Sequence, residues 1–136
     1  MINQLEELKN WQLAKEVNKE IYKIISRNSF NDDRPLRDQM NRSSASIMDN
    51  IAEGFGRNGS REFIQFLSCS KGSCVEIKSQ LHRAMDRNHI DKREFESLYD
   101  KIDHIEKMNS NLISYLKKSD KRGWKFQDVS RPKSDV

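Results

Sequence analysis

No threonine occurs anywhere in the 136 residues, and glycine (5), proline (2) and cysteine (2) are scarce. Each shortage excludes something. Apart from isoleucine, few β-branched residues are present, so a sheet would lack its usual material, whereas the abundant Lys, Glu, Leu and Arg favour helix. No apolar run approaches the roughly 20 residues that a membrane span requires. The opening MINQLEELKNWQLAKEV is amphipathic and mixed in charge, unlike a signal peptide. A cytoplasmic location is the expectation. Cys69 and Cys74 would stand about 140° apart on a helix, too far round to bridge, and read as small apolar fillers in a reducing compartment.

What is present is charge, at 34% of residues. Residues 1–116 hold 18 Lys/Arg and 18 Asp/Glu, which cancel. The formal +4 therefore lies in KKSDKRGWKFQDVSRPKSDV, where seven basic side chains face three acidic ones. Within the body, residues 94–116 carry five acids against Lys101 and Lys107, while residues 71–93 carry six bases against three acids. That asymmetry bears on RNA binding and on self-association.

Apolar residues at spacings of three and four mark four helices. The first is expected from about Asn3 to Arg27, with Leu5, Leu8, Trp11, Ala14, Val17, Ile21 and Ile24 on its buried face. NSFNDDRP reads as a turn closed by Pro35 near the start of the second helix, from about Arg34 to Phe55. That helix turns inward Leu36, Met40, Ser43, Ile47, Asn50 and Gly54, flanked by Ser44, Ile51 and Phe55. In GRNGS, Gly56 or Gly59 suits a left-handed helix cap, and Ser60 caps a third helix from about Arg61 to Arg87. Its stripe is Phe63, Phe66, Ser70, Cys74, Ile77, Leu81 and Ala84, and Gly72 with Ser73 is expected to admit a neighbouring backbone. Asp91 and Glu94 form a capping box, with Ile90 and Phe95 as the matching staple. The stripe that follows is Phe95, Leu98, Ile102, Ile105, Asn109, Leu112 and Leu116, in which one Asn fixes register.

The pattern stops beyond Ser119. The expected fold is all-α, an up-and-down antiparallel four-helix bundle over residues 1–119 with a basic, flexible tail over 120–136. Leu13, Ile25, Ile64, Val75, Met108, Ile113 and Tyr115 lie off the stripes. They either widen the core or meet another subunit.

Chemistry finds little support. A carboxylate-bridged metal site needs Glu-x-x-His on two helices; no Glu stands three residues before His82, His89 or His104, and Asp86 precedes His89 only once. Cys74 and His82 lie about 12 Å apart along one helix. GFGRNG lacks the preceding strand and following Lys-Ser of a phosphate loop. No cofactor is expected. Asn50, Glu53 and Arg57 share one helical face, and Glu62, Gln65 and Glu76 share a face of the next helix. These two faces can meet, with Arg57 between carboxylates and Asn50 donating to backbone or to Glu. Paired carboxylates could serve acid–base work, but without a nucleophile or metal nearby the favoured reading is a buried or half-buried polar network of Asn50, Glu53, Arg57, Glu62 and Glu76 that sets helix register.

LRDQMNRSSASIMDNIAEGFGRNGSREFIQFLSCSKGSCVEI, from Leu36 to Ile77, closely resembles the signature region of a small bacterial four-helix-bundle family. That family includes the proteins encoded in intervening sequences of 23S rRNA genes, the S23-type ribosomal proteins, and the accessory variability protein of diversity-generating retroelements is a relative. NIAEG, a Gly-Arg turn and EF-x-x-FL carry the likeness, which extends over about residues 5–118. Ser43, Ser44 and Met48 depart from it, standing where small apolar residues and Pro are more usual. The resemblance implies a ring-shaped homo-oligomer, commonly a homopentamer, without known catalytic activity, and retroelement relatives bind nucleic acid and a reverse transcriptase through a basic surface.

The expected function is a non-enzymatic oligomeric scaffold that binds RNA or an RNA-associated protein. Lys117, Lys118, Lys121, Arg122, Lys125, Arg131 and Lys133, around Trp124 and Phe126, are the candidate nucleic-acid contacts: cations neutralise phosphates while an aromatic stacks on an unpaired base. The alternative is a protein–protein interaction module with no nucleic acid partner.

Overall fold

The computed structural model describes residues 2–119. Four α-helices carry nearly all of it: α1 (Lys9–Ile25), α2 (Arg34–Phe55), α3 (Ser60–Asp86) and α4 (Lys92–Lys118). Short 3₁₀ turns occupy Leu5–Glu7 and Asn28–Asp32, and there is no strand among the described residues. Each helix packs on the next in the chain, and α4 returns to pack on α1. Cross-links give the directions. Gln39, Ser43 and Ile47 meet Arg83, Gln80 and Ser70. On the other side Asn10, Glu20 and Arg27 meet Asn109, Lys101 and Glu94. Rising numbers meet falling numbers, so both seams are antiparallel and the helices form an up-and-down bundle.

Capping places the helix ends. At α4 the Glu94 N–H donates to Asp91 Oδ1 at 2.8 Å and the Asp91 N–H to Glu94 Oε1 at 3.0 Å, the reciprocal box the sequence indicates. α2 spans Arg34–Phe55 with proline in its first turn, also as expected. The first helix differs. Glu7 Oε1 accepts from the N–H groups of Asn3 and Gln4 at 2.6 and 3.1 Å, which closes a 3₁₀ turn. Leu8 is then extended (φ −74°, ψ 120°) and buried, so α1 begins only at Lys9.

The glycines also depart from expectation. Gly56 is right-handed (φ −73°), and Gly59 is extended (φ 174°) at the cap position expected for Ser60, which is instead the buried first residue of α3. The left-handed residue is Asn88 (φ 64°), after α3; Asn tolerates that conformation better than most residues. Close approach of a neighbouring helix occurs at Gly54, through phenylalanine side chains, and not at Gly72. A Cβ on Gly54 would lie 2.8 Å from Phe63 Cδ1 and Phe66 Cβ, while one on Gly72 would meet nothing within 4 Å.

The core joins all four helices through Ala14, Val17, Ile21, Met40, Ile47, Leu67, Ile77, Ile102 and Ile105 among others. On α3 Leu67 replaces Phe66 in the deepest layer, and Phe66 is half-buried. Of the apolar residues off the stripes, Ile25 and Met108 are buried and Leu13, Ile64, Ile113 and Tyr115 pack half-buried against the core. Val75 alone of that set is solvent-facing, at 58% exposure.

Candidate functional site

The face expected to carry a polar network separates into a surface pair and a half-buried link. Arg57 Nη2 lies 2.8 Å from Glu53, one helical turn away, and its guanidinium sits 5.1 Å from the centre of the Phe66 ring. Both side chains of the pair are about half exposed, at 44% and 53%. Asn50 Nδ2 donates to the Ser46 carbonyl and to Ser46 Oγ, each at 2.9 Å, and Ser46 Oγ reaches Ser73 Oγ on α3 at 2.8 Å. Glu62 and Glu76 are exposed and make no ion pair among the described residues. The five residues therefore do not connect within one chain, and Arg57 is not held between carboxylates of two helices. The reason is geometric: Arg57 meets Glu53 one turn away on its own helix and the Phe66 ring on α3, while Glu62 and Glu76 are exposed away from it. Beside them lies an open polar cleft of about 490 Å³ lined by Gln39, Arg42, Ser46, Glu76, Ser79 and Arg83.

The buried network is elsewhere. Asn10 Nδ2 donates to Asn109 Oδ1 (2.8 Å), Asn109 Nδ2 to Ser70 Oγ (3.0 Å), and Ser70 Oγ to the Ile47 carbonyl (2.8 Å). This chain crosses α1, α4, α3 and α2 in turn, and Asn10, Ser70 and Asn109 are fully buried. Asn10 Oδ1 also accepts the Trp11 N–H at 3.0 Å, satisfying a first-turn donor. The sequence marks only Asn109 as a register device; its partner Asn10 stands 99 positions away, in helical register with Ala14, Val17, Ile21 and Ile24 on the buried face of α1.

A second polar assembly closes the end of the bundle where α1 meets α2. Phe30, in the segment expected to be a plain turn, is buried and stacks on His89 with ring centroids 3.9 Å apart. His89 lies between Ser29 Oγ and Asp33 Oδ2, both at 2.8 Å, so its partner is Asp33 and not the sequence-adjacent Asp86. Asp33 also takes Arg87 at 3.1 Å. The hydrogen bond from His89, with Arg87 behind it, holds the Asp33 carboxyl below its ordinary range. Arg27 pairs with Glu94 at 2.5 Å, which lowers the Glu94 carboxyl and raises the guanidinium.

A sequence model of the 23S rRNA-intervening sequence protein family matches residues 6–111. The chain belongs to that family. A similar solved structure is the 1.70 Å crystal structure of a protein of unknown function from the S23 ribosomal protein family of Bacteroides thetaiotaomicron VPI-5482. It matches with a TM-score of 0.66 and 24% identity, over 79% of this chain and 98% of that one. At that identity the likeness speaks for the fold. No curated protein matches. Two of the residues that depart from the family pattern are accounted for by packing: Ser44 Oγ accepts from Asn18 Nδ2 and Ser43 Oγ from Gln80 Nε2, both at 3.0 Å.

For this intervening-sequence protein the described residues bring no three His, Cys, Asp or Glu side chains together in a way that could hold a metal ion. Cys74 is buried and its thiol is pushed up to about 12, chiefly by desolvation, so it is not a thiolate nucleophile near neutral pH. No helix among the described residues is long and apolar enough to cross a membrane. Of the candidate nucleic-acid contacts, Lys117 and Lys118 are exposed in the last turn of α4. Lys121, Arg122, Trp124, Lys125, Phe126, Arg131 and Lys133 lie outside the described residues.

The acidic fourth helix is largely neutralised within the chain. Lys78 bridges to Asp103 at 3.0 Å and to Glu106, beneath the Tyr99 ring at 4.8 Å. Burial opposes the Lys78 charge, but its bonds to Glu106 and Asp103 outweigh that and raise its pKa. With Glu94 held by Arg27, three of the α4 carboxylates are no longer open to a partner.

Proposed function

We propose that this 23S rRNA-intervening sequence family protein is a non-enzymatic helical scaffold that self-associates, as a ring of the pentameric kind, and binds RNA or an RNA-associated protein such as a reverse transcriptase. The observation that carries the reading is the placement of charge. The bundle is balanced internally, while the formal +4 falls within residues 117–136. Lys117 and Lys118, where that segment leaves α4, are exposed and make no ion pair among the described residues. A polyanion is the complementary partner. Self-association draws support from one face of α3, where Gly72 borders open space and Val75 is 58% exposed. The same small, apolar face favours the second reading, a protein–protein module without RNA.

Light scattering after size exclusion is expected to give a mass several times 16.1 kDa; a clean monomer defeats the ring. Retention on an RNA column is expected in low salt and to fall steeply with added salt, each single-strand phosphate contact contributing about −0.7 to the slope of log affinity against log salt. Cutting after Ser119 should flatten that slope and leave the helical content and assembly mass unchanged. No retention by the full chain at any salt would leave the protein-only module as the better reading.

A further inference from the structure

We infer that the solvent face of α1 is a second contact for single-stranded RNA, separate from the basic C-terminal segment. The inference rests on the RNA-binding reading above and adds a site to it. Trp11, Lys15, Lys19, Tyr22 and Lys23 fall within a sector of about 120° on the helix, since each residue turns it by about 100°. Lys15, Lys19 and Lys23 are all exposed and make no ion pair among the described residues. Tyr22 is 65% exposed, one of two large hydrophobic side chains left so open among the described residues. Trp11 is half-buried, with Lys15 Nζ 5.6 Å from its ring centre.

What makes the strip basic is a division of charge between helices. The carboxylates on the same stretch, Glu16 and Glu20, are both held by Lys101 of α4, at 2.8 and 2.5 Å. Lys101 balances one of their two charges and holds both carboxylates toward the α1–α4 seam, so the three outward lysines outnumber the one charge left beside them. Four residues of helix advance about 6 Å, so the three ammonium groups stand at a spacing close to that of successive phosphates in an extended strand. The aromatics at either end offer π-faces to unpaired bases, which a duplex keeps stacked on one another. A membrane surface suits the strip less well, because its other neighbours are Gln12, Asn18 and Ser26, with little apolar area to insert.

The test is binding of a short mixed-sequence single-stranded RNA to the full chain, followed by anisotropy across a salt series. With Lys15→Gln, Lys19→Gln and Lys23→Gln combined, the slope of log affinity against log salt is expected to become shallower by about 2, from three lost phosphate contacts. Tyr22→Ala should weaken binding about tenfold with the slope unchanged, the mark of a lost base stack. All four side chains are at the surface, and circular dichroism checks that helicity is retained. If these variants bind like the wild type while truncation after Ser119 abolishes binding, the α1 strip is wrong and the RNA reading stands on the tail. If the full chain binds no RNA at low salt, both fail. If the triple variant loses binding only to vesicles containing anionic lipid, the strip is a membrane contact and the inference is overturned.

Discussion

The α2–α3 seam and the α1–α4 seam are both antiparallel, yet different forces hold them. At α2–α3 the helices approach until no side chain fits at Gly54, and the links along the middle of the seam are neutral: Ser70 to the Ile47 carbonyl, Ser46 to Ser73, Gln80 to Ser43. Charge enters at one end of it, through Arg83–Gln39 and Arg87–Asp33. At α1–α4 the outer links are ionic, Lys101 to Glu16 and Glu20 and Arg27 to Glu94, and only Asn10–Asn109 is buried. Steric contact and neutral hydrogen bonds are indifferent to salt, whereas partly exposed ion pairs are screened by it. The first seam sets register. The second also sorts charge, because Lys101 draws Glu16 and Glu20 toward the seam and leaves the α1 lysines outward.

The largest expected effect comes from the chain of hydrogen bonds that joins the two seams. Asn109→Leu removes the acceptor of Asn10 Nδ2 and the donor to Ser70, and a buried polar group left unpaired costs about 1–3 kcal/mol. Urea unfolding should show a loss of roughly 2–3 kcal/mol. Adding Asn10→Leu should recover part of it, since replacing both partners by apolar groups can be nearly neutral. A single variant as stable as the wild type would mean that the chain is dispensable.

The two glycines test the neutral seam directly. Gly54→Ala gains about 1 kcal/mol of helix propensity but must push Phe63 and Phe66 aside, an overpacking cost of about 1–3 kcal/mol, so a net loss near 1 kcal/mol is expected. Gly72→Ala meets nothing and should stabilise the chain by up to about 1 kcal/mol. A falling assembly mass in Gly72→Ala would place that face at a subunit contact. Stabilisation by both substitutions would show that the α2–α3 approach is looser than its geometry implies.

The helices, their count and their apolar stripes were legible because a 3.6-residue period declares which face is buried. The α2 limits and the Asp91–Glu94 box were legible because capping is local chemistry. Pairing was not. A helical wheel shows that Gly54 and Gly72 are unusual, but only the position of Phe63 and Phe66 shows which one is a contact. Asn10 shares the buried face of Ala14, Val17, Ile21 and Ile24, but an apolar pattern passes over a polar residue, and only the meeting with Asn109 shows its partner. Phe30 sits in a segment that composition marks as a turn, and its stacking on His89 depends on two loops converging. The expected Glu53–Arg57 network drew two helical faces correctly but assumed that they met through their longest side chains. As an exposed pair one turn apart, Glu53–Arg57 contributes only about 0.3–0.5 kcal/mol within the chain.

Acid should loosen the clasp at the Phe30–His89 end. Asp33 and Glu94 both have folded-state pKa values below their ordinary ones. A depressed carboxylate contributes stability that is present above its unfolded pKa, about 3.9 for Asp and 4.3 for Glu, and lost as pH falls through the folded value. The unfolding midpoint is expected to hold down to about pH 5 and then to decline through the region below pH 4. Asp33→Asn should start from a lower midpoint and show a shallower decline. Parallel curves would remove Asp33 from the acid response.

The smallest effect on stability should carry the most information about α1. Lys101 is raised in pKa by its bonds to Glu16 and Glu20, so its contribution is complete at neutral pH and is lost only as pH rises through the folded value. Its pairs are partly exposed, and such bridges contribute about 0–1 kcal/mol each, so Lys101→Met should cost under about 1 kcal/mol and reduce the salt dependence of unfolding. Its consequence for the α1 strip is larger. With Lys101 gone, Glu16 and Glu20 keep their charge beside Lys19 and lower the local potential without the loss of any strip lysine. RNA affinity in low salt should then fall severalfold. Lys107→Met is the matched control, because it removes the same charge from α4 at a site paired with Asp103, on the side facing α3. A fall in Lys101→Met but not in Lys107→Met would tie RNA binding to the charge sorting at the α1–α4 seam. Equal falls would reduce the effect to net charge, and the contrast between the two seams would then say nothing about where RNA docks.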